Sequence, residues 1–599
     1  ALHTELLDPS GTVVASSANN SMVISGQTKQ VTHDIPVNLP SLWSIDEPNL
    51  YYAKVNVLIN GKIVDELATH FGIRSINIDA LNGFTINGKP VEMIGGCIHH
   101  DNGPLGAASI DRAEERKIEI LKKSGFNAIR TAHNPPSSAL LDACDRLGMV
   151  VINEIFDMWE TAKRNQDYHL FFREWWQKDV ESWVKRDRNH PSVIIWSIGN
   201  EIREAYDTSG LRIARNLTDE IRRLDQTRWV TECFVDFAWM RGQKSKWDEI
   251  PEHLDLFDLI GYNYAYRKYE EDHIKYPERV MIGTETNPPL ALENYEMMKK
   301  HPYVIGYFVW TATDNLGEAG VGLPQLIDIV PNTSQTQASA GGFFNRDSWP
   351  VFTNYQGDID LIGNRKVPSY YQHVVWGKSK VEIFVHRPIP EGKKEITSNL
   401  CFPDELKSWN WPGHEGEKLQ VNVYTRSRQV RLLLNGKIVG EQIVDTEKSI
   451  TATFEVPYEA GTLTAFCYDN GSDTASQTLR TTGRPEAIRL IADRTKIKAD
   501  RNDLTYVMAE VIDSEGNIVP DADDVVVSFK VTGRGEVAGV GSGNPRDMSS
   551  FQQPVKKAFQ GICLAIIRPE TNPGRIKVRA AAEGLKGASI TISVNENGR

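Results

Sequence analysis

A chain of 599 residues is longer than one hydrophobic core usually serves, so several domains are expected. Its 40% hydrophobic and 24% charged residues exclude a disordered polymer, and a net charge of −12 argues against a nucleic-acid partner, which would need a basic face. No run approaches the roughly 18 apolar residues of a helical membrane span, so no membrane partner is expected.

Residues 1–80 read as strands and turns. Ala53, Val55, Val57 and Ile59 alternate with Lys54, Asn56 and Leu58, and Asn60-Gly61 supplies a hairpin turn. Such a pattern predicts an immunoglobulin-like β-sandwich. The chain opens at Ala1 inside this pattern with neither Met nor signal peptide, so an upstream segment is expected to have been removed. From about residue 89 short apolar strands alternate with amphipathic helices. Met93–Cys97, Ala128–Thr131, Met149–Ile152, Val193–Ile198, Trp229–Cys233, Leu256–Gly261, Val280–Gly283 and Val304–Trp310 are eight candidate strands. Leu211, Ala214, Leu217, Ile221 and Leu224 fall on one face of an intervening helix. Eight β/α units over 81–378 predict a (β/α)₈ TIM barrel, although a doubly wound sheet is built from the same units. After Trp376 the helical signal stops, and two further β-sandwiches are expected over 379–483 and 484–599, with a second Asn-Gly turn at Asn435-Gly436. The Asn-Gly-Lys triplets at 60, 87 and 435 read as recurring hairpin chemistry. Gly539, Gly541 and Gly543 lack the spacing and the following helix of a nucleotide loop.

The six cysteines, Cys97, Cys144, Cys233, Cys401, Cys467 and Cys563, are scattered, which suits buried thiols and neither a disulfide scaffold nor a zinc motif. They leave the compartment open, with a periplasmic or secreted bacterial one favoured.

Catalytic groups of a (β/α)₈ barrel sit where its strands end and the βα loops begin. The fourth candidate strand delivers Asn200-Glu201 and the seventh delivers Glu285. A carboxylate directly after a buried apolar strand is costly unless it is paired or used. Glycoside cleavage uses two: one protonates the leaving oxygen while the other attacks the anomeric carbon.

The run Trp196-Ser197-Ile198-Gly199-Asn200-Glu201 resembles the acid/base signature of glycoside hydrolase family 2, and Ile282-Gly283-Thr284-Glu285 resembles its nucleophile strand. The resemblance extends over most of the chain, including the Phe71-Gly72-Ile73-Arg74 entry to the barrel. It implies Glu201 as acid/base and Glu285 as nucleophile. Further matches imply that His100 contacts sugar hydroxyls, Arg130 holds the nucleophile ionised, His133 binds substrate and Asn200 bonds the sugar 2-hydroxyl. Tyr264 matches the tyrosine that hydrogen-bonds the nucleophile, and Trp310 the floor of the sugar site. Eleven of the 14 tryptophans lie between 150 and 376. Trp175, Trp176 and Trp183 read as core of one helix. Asp157 and Trp159, after the third strand, are weaker substrate-site candidates.

Two departures stand out. The jelly-roll domain that precedes the first sandwich in the family is absent from this chain. Where metal-dependent relatives place ligands, this chain carries Met158 and Trp159 between Asp157 and Glu160, so no metal and no cofactor are expected, unless those carboxylates join Asp314, Glu318, Asp358 and Asp360. The implied activity is a retaining exo-β-glycosidase acting on a carbohydrate, a β-galactosidase first. β-Glucuronidase is the rival, because Asn364-Arg365-Lys366 fits the Asn-x-Lys pattern that grips a glucuronate carboxylate; β-mannosidase ranks lower. A catalytically silent carbohydrate-binding scaffold is the alternative of another class. The long loop 311–367, with Ser334–Ala340 at its middle, is expected to close over the site, and a homo-oligomer remains open.

Overall fold

The computed structural model describes residues 1–329, 349–469 and 471–596. The chain divides into two compact units, one of Ala1–Gly96, Phe126–Glu285 and Met297–Phe308, the other of Cys97–Gly125, Thr286–Glu296 and Val309–Arg599. The segment Ser334–Ala340 lies outside the described residues.

In the first unit, β1 (Leu2–Leu7), β2 (Val13–Asn19), β3 (Tyr51–Ile59) and β4 (Lys62–Phe71) form one four-stranded sheet in the order β2-β1-β3-β4. The expected alternation therefore builds a single sheet among residues 1–80, beside a small three-stranded sheet of β5 (Ile76–Asp79), β6 (Gly83–Ile86) and β7 (Lys89–Pro90). All three Asn-Gly-Lys triplets do turn hairpins. Asn60-Gly61, Asn87-Gly88 and Asn435-Gly436 all take positive φ, the conformation that a tight two-residue turn demands.

Eight strands close a barrel: β8 (Met93–Ile98), β9 (Ala128–Thr131), β10 (Val150–Glu154), β11 (Val193–Asn200), β12 (Trp229–Phe234), β13 (Ile260–Asn263), β14 (Met281–Thr286) and β15 (Val304–Val309). The pairs from β9 to β14 are parallel. Except for the half-buried Trp229, every residue of these strands is buried, which is why they read as unbroken apolar runs. Gly95 shows how tightly the interior is filled: a Cβ there would lie 2.3 Å from the Phe308 ring. The sixth strand begins later than its apolar run suggests. Pro251–Leu254 is a short helix, and periodicity alone cannot separate its apolar residues from the strand that follows. The helix Thr208–Leu224 buries Ala214, Leu217, Ile221 and Leu224, and the Asp207 side chain caps it by accepting from the Ser209 and Gly210 N–H groups. On the helix His169–Asp187, Trp183 packs edge-on against Trp196 at 4.6 Å, but Trp175 is exposed beneath the Lys178 ammonium, contrary to its expected place in the core.

Within the second unit, two four-stranded sheets from Val381 to Arg480 share a core that includes Val421, Leu432, Trp409 and Val456. A four- and a five-stranded sheet between Ala487 and Asn595 enclose another around Val507, Phe529 and Val578.

Candidate active site

The C-terminal ends of five barrel strands deliver the polar side chains. Arg130 lies on β9, Glu154 ends β10, Asn200 ends β11, Asn263 ends β13 and Glu285 lies near the end of β14, with Glu201 directly after β11. Glu201 and Tyr264 both have positive φ, +47° and +57°. For residues with a Cβ this is a strained conformation, and such strain concentrates at functional sites. The backbone holds it by two bonds: Glu201 N–H donates to the Cys233 carbonyl at 2.8 Å, and Tyr264 N–H to the Glu285 carbonyl at 2.7 Å.

Arg130 is the hub, and it is wholly buried. Its Nη1 donates to Glu285 Oε1 at 2.8 Å, its Nη2 to Asn200 Oδ1 at 2.8 Å, and its Nε and Nη2 grip the equally buried Glu154 at 2.8–3.1 Å. A buried guanidinium needs such partners to offset its desolvation. Glu154 also accepts from the Ser197 hydroxyl at 2.6 Å and lies 2.7 Å from His133 Nδ1. Burial works to raise the Glu154 carboxyl, but Arg130 and His133 prevail and hold it at about 2. Burial likewise opposes the charged form of His133, but the Glu154 hydrogen bond and charge together outweigh it, so the imidazole is raised above its ordinary value. His133 Nε2 stands 3.9 Å from Glu285 Oε1.

Glu201 has the opposite surroundings. Its Oε1 accepts from the Asn263 amide at 3.0 Å, and that same amide donates to Asn200 Oδ1 at 3.1 Å. Burial, then the Glu285 charge, push its carboxyl up to about 7. Two neighbouring glutamates thus differ as a proton donor and an arginine-paired carboxylate differ.

Among the other expected residues, Asp157 receives Lys163 Nζ at 2.7 Å, and Lys163 also donates to the Asn200 carbonyl at 2.8 Å. Trp159, a weaker substrate-site candidate, is fully buried; its indole N–H donates to the Ile198 carbonyl, and it lies near-parallel to His253. His100 and Trp310 belong to the other compact unit. There His100 is exposed in the bend after β8, while the buried Trp310 donates to Glu318 at 3.2 Å and meets His99 edge-on.

The donor set after β10 fits a divalent ion poorly. Asp157 is engaged by Lys163, and Glu160 by Arg173 at 2.8 Å and Arg212 at 3.7 Å. In the second unit Asp314 is paired with Lys366, Asp358 accepts from Gln372, and Asp360 accepts from the N–H groups of Ile362, Gly363 and Asn364.

Sequence reasoning missed Glu154, Asn263 and Lys163. Glu154 was within reach, since it follows a buried apolar run just as Glu201 does. Glu154→Gln removes the charge that compensates Arg130, so unfolding is expected to need about 3–5 kcal/mol less free energy, the usual cost of breaking a buried pair. Urea denaturation measures it; a loss below about 1 kcal/mol would mean that Arg130 is satisfied without Glu154.

Residues 76–319 match the model "Glycosyl hydrolases family 2, TIM barrel domain", residues 1–74 "Glycosyl hydrolases family 2" and residues 488–591 "Glycoside hydrolase family 2 C-terminal domain 5". Residues 416–475 match a domain of unknown function. The β-galactosidase BoGH2A of Bacteroides ovatus is 31% identical, over 99% of this chain and 72% of that protein. A putative β-glucuronidase of Formosa agariphila is 27% identical, over 97% of this chain and 55% of its own length. A crystal structure of a glycosyl hydrolase family 2 member from Bacteroides cellulosilyticus superposes with a TM-score of 0.90 at 39% identity, covering all of this chain and 74% of the other.

Proposed function

The chain belongs to glycoside hydrolase family 2 and is a β-glycosidase, and from that premise we propose that it is a retaining, exo-acting β-galactosidase with Glu201 as acid/base and Glu285 as nucleophile. The observation that carries this reading is the contrast between the two carboxylates: one is raised to about 7 with an amide for company, the other is bound to a buried arginine. In the first step Glu201 gives its proton to the leaving oxygen while Glu285 attacks the anomeric carbon; in the second Glu201 takes a proton from water, which releases the sugar. Arg130 and His133 orient Glu285, and Asn200, fixed by Arg130 and Asn263, is placed for a sugar hydroxyl.

A general acid raised to about 7 sets the alkaline side of the pH profile. Below that value Glu201 carries its proton; above it the proton is lost, and kcat/KM for a substrate with a poor leaving group falls about tenfold per pH unit. A pH-rate profile checks this. An alkaline limb that begins instead near pH 5 would contradict the raised carboxyl.

Galactose as the terminal sugar is supported by the relative named a β-galactosidase and by the fate of the Asn-x-Lys pattern. Lys366 is paired with the buried Asp314 at 2.7 Å and donates to the Tyr355 carbonyl, while the Asn364 amide donates to Asp360. Both side chains thereby have partners within their own unit, which counts against a grip on a glucuronate carboxylate. The β-glucuronidase reading is favoured by relatives so named. Nitrophenyl β-glycosides separate the two: the galactoside should be the best substrate, and a higher kcat/KM on the glucuronide would reverse the assignment.

A further inference from the structure

Four side chains that the glycosidase chemistry leaves unused converge in the first unit. His70 lies near the end of β4, Asp142 and Asp145 belong to the helix Ser138–Leu147, and His190 precedes β11. Three residues apart, the two aspartates share one helix face. Donor atoms from the four, one each, all lie within 4.8 Å of one another. His70 Nε2 is 3.1 Å from Asp142 Oδ1 and 3.0 Å from Asp145 Oδ2, and His190 Nδ1 is 2.6 Å from Asp145 Oδ2 and 3.9 Å from Asp142 Oδ1.

We propose that His70, Asp142, Asp145 and His190 form a structural binding site for a late first-row divalent cation, zinc first, that ties the β4 end of the N-terminal sheet to the barrel. A tetrahedral zinc with bonds of about 2.0–2.2 Å separates its ligands by roughly 3.3–3.6 Å, and the four spacings above straddle that value. Two imidazoles with two carboxylates suit zinc, whereas calcium and magnesium demand six or more oxygens. The two carboxylates also neutralise a dication. Asp145 is wholly buried, and its Oδ1 accepts from the Ser192 N–H at 3.0 Å, an outer contact that turns Oδ2 toward both imidazoles. Asp142 is half exposed and gives the ion an entry.

A zinc ion takes the place of the protons that otherwise bridge these atoms. Two arginines feel the field of Asp145 but direct their N–H groups elsewhere: Arg74 to the Pro191 and Val193 carbonyls, Arg228 to Asp225 and the His190 and Val193 carbonyls. The site lies far from the chemistry. His190 precedes β11 and Glu201 follows it, so eight strand residues intervene, about 26 Å at 3.3 Å each.

The test uses the full chain, stripped with a chelator and titrated with zinc chloride by calorimetry and by thermal unfolding. One ion per chain is expected, with a raised Tm and unchanged turnover of an aryl β-glycoside before and after stripping. Asp142→Asn, at a half-exposed position that need not disturb folding, and His70→Gln should each weaken binding by about tenfold or more. No stoichiometric binding by the unaltered protein, or undiminished binding by both variants, would overturn the proposal and leave the cluster a proton-bridged ion network.

Discussion

Glu285→Gln is expected to lower kcat on every substrate by about four orders of magnitude or more, roughly 5.5 kcal/mol of lost transition-state stabilisation. The amide is nearly isosteric but carries no charge to form the bond to the anomeric carbon. Arg130 keeps Glu154 and Asn200 as partners after the exchange, so the fold should survive. Unchanged thermal unfolding beside lost turnover is the expected pair of results. Retention of more than about a tenth of wild-type kcat would remove Glu285 from the chemistry.

Glu201→Ala should act selectively. Where the leaving group is a poor one, such as an alkyl alcohol, loss of the proton donor is expected to slow the reaction by about 10²–10⁴-fold. An activated aryl leaving group departs without that proton, so its release should suffer far less and the glycosyl-enzyme should accumulate. Azide, which needs no general base, should then restore turnover and yield a β-glycosyl azide. Product analysis by NMR decides the outcome: an α-azide would mean inversion and exchange the roles assigned here.

Much of this architecture was legible because barrel strands are buried on both faces and therefore read as continuous apolar runs. Seven of the eight observed strands begin within one residue of their apolar run. The sixth does not, since Leu256 and Phe257 belong to the end of a helical turn that the same periodicity describes. Glu201 and Glu285 were legible by contrast, as charges placed where an apolar strand stops. Glu154 carries the same signature and was passed over because no motif drew attention to it. What the sequence cannot display is pairing between distant segments. Lys366 carries no sign in the sequence of Asp314, 52 residues earlier, to which its ammonium donates. Trp159 and Trp175 make the same point in opposite directions, one sealed behind the Glu201 strand and the other exposed on its helix. Asn263 stands inside a stretch already singled out for Tyr264, yet only the folded barrel brings its amide to Glu201.

A covalent intermediate on Glu285 can be trapped directly. A 2-deoxy-2-fluoro β-galactosyl fluoride carries a good leaving group, so the first step proceeds, while the fluorine slows the hydrolysis that follows. After inactivation and proteolysis, mass mapping should find a single added fluorosugar on the peptide containing Met281–Thr286, attached at Glu285. Recovery of the label on Glu201 or on any other residue would contradict the account.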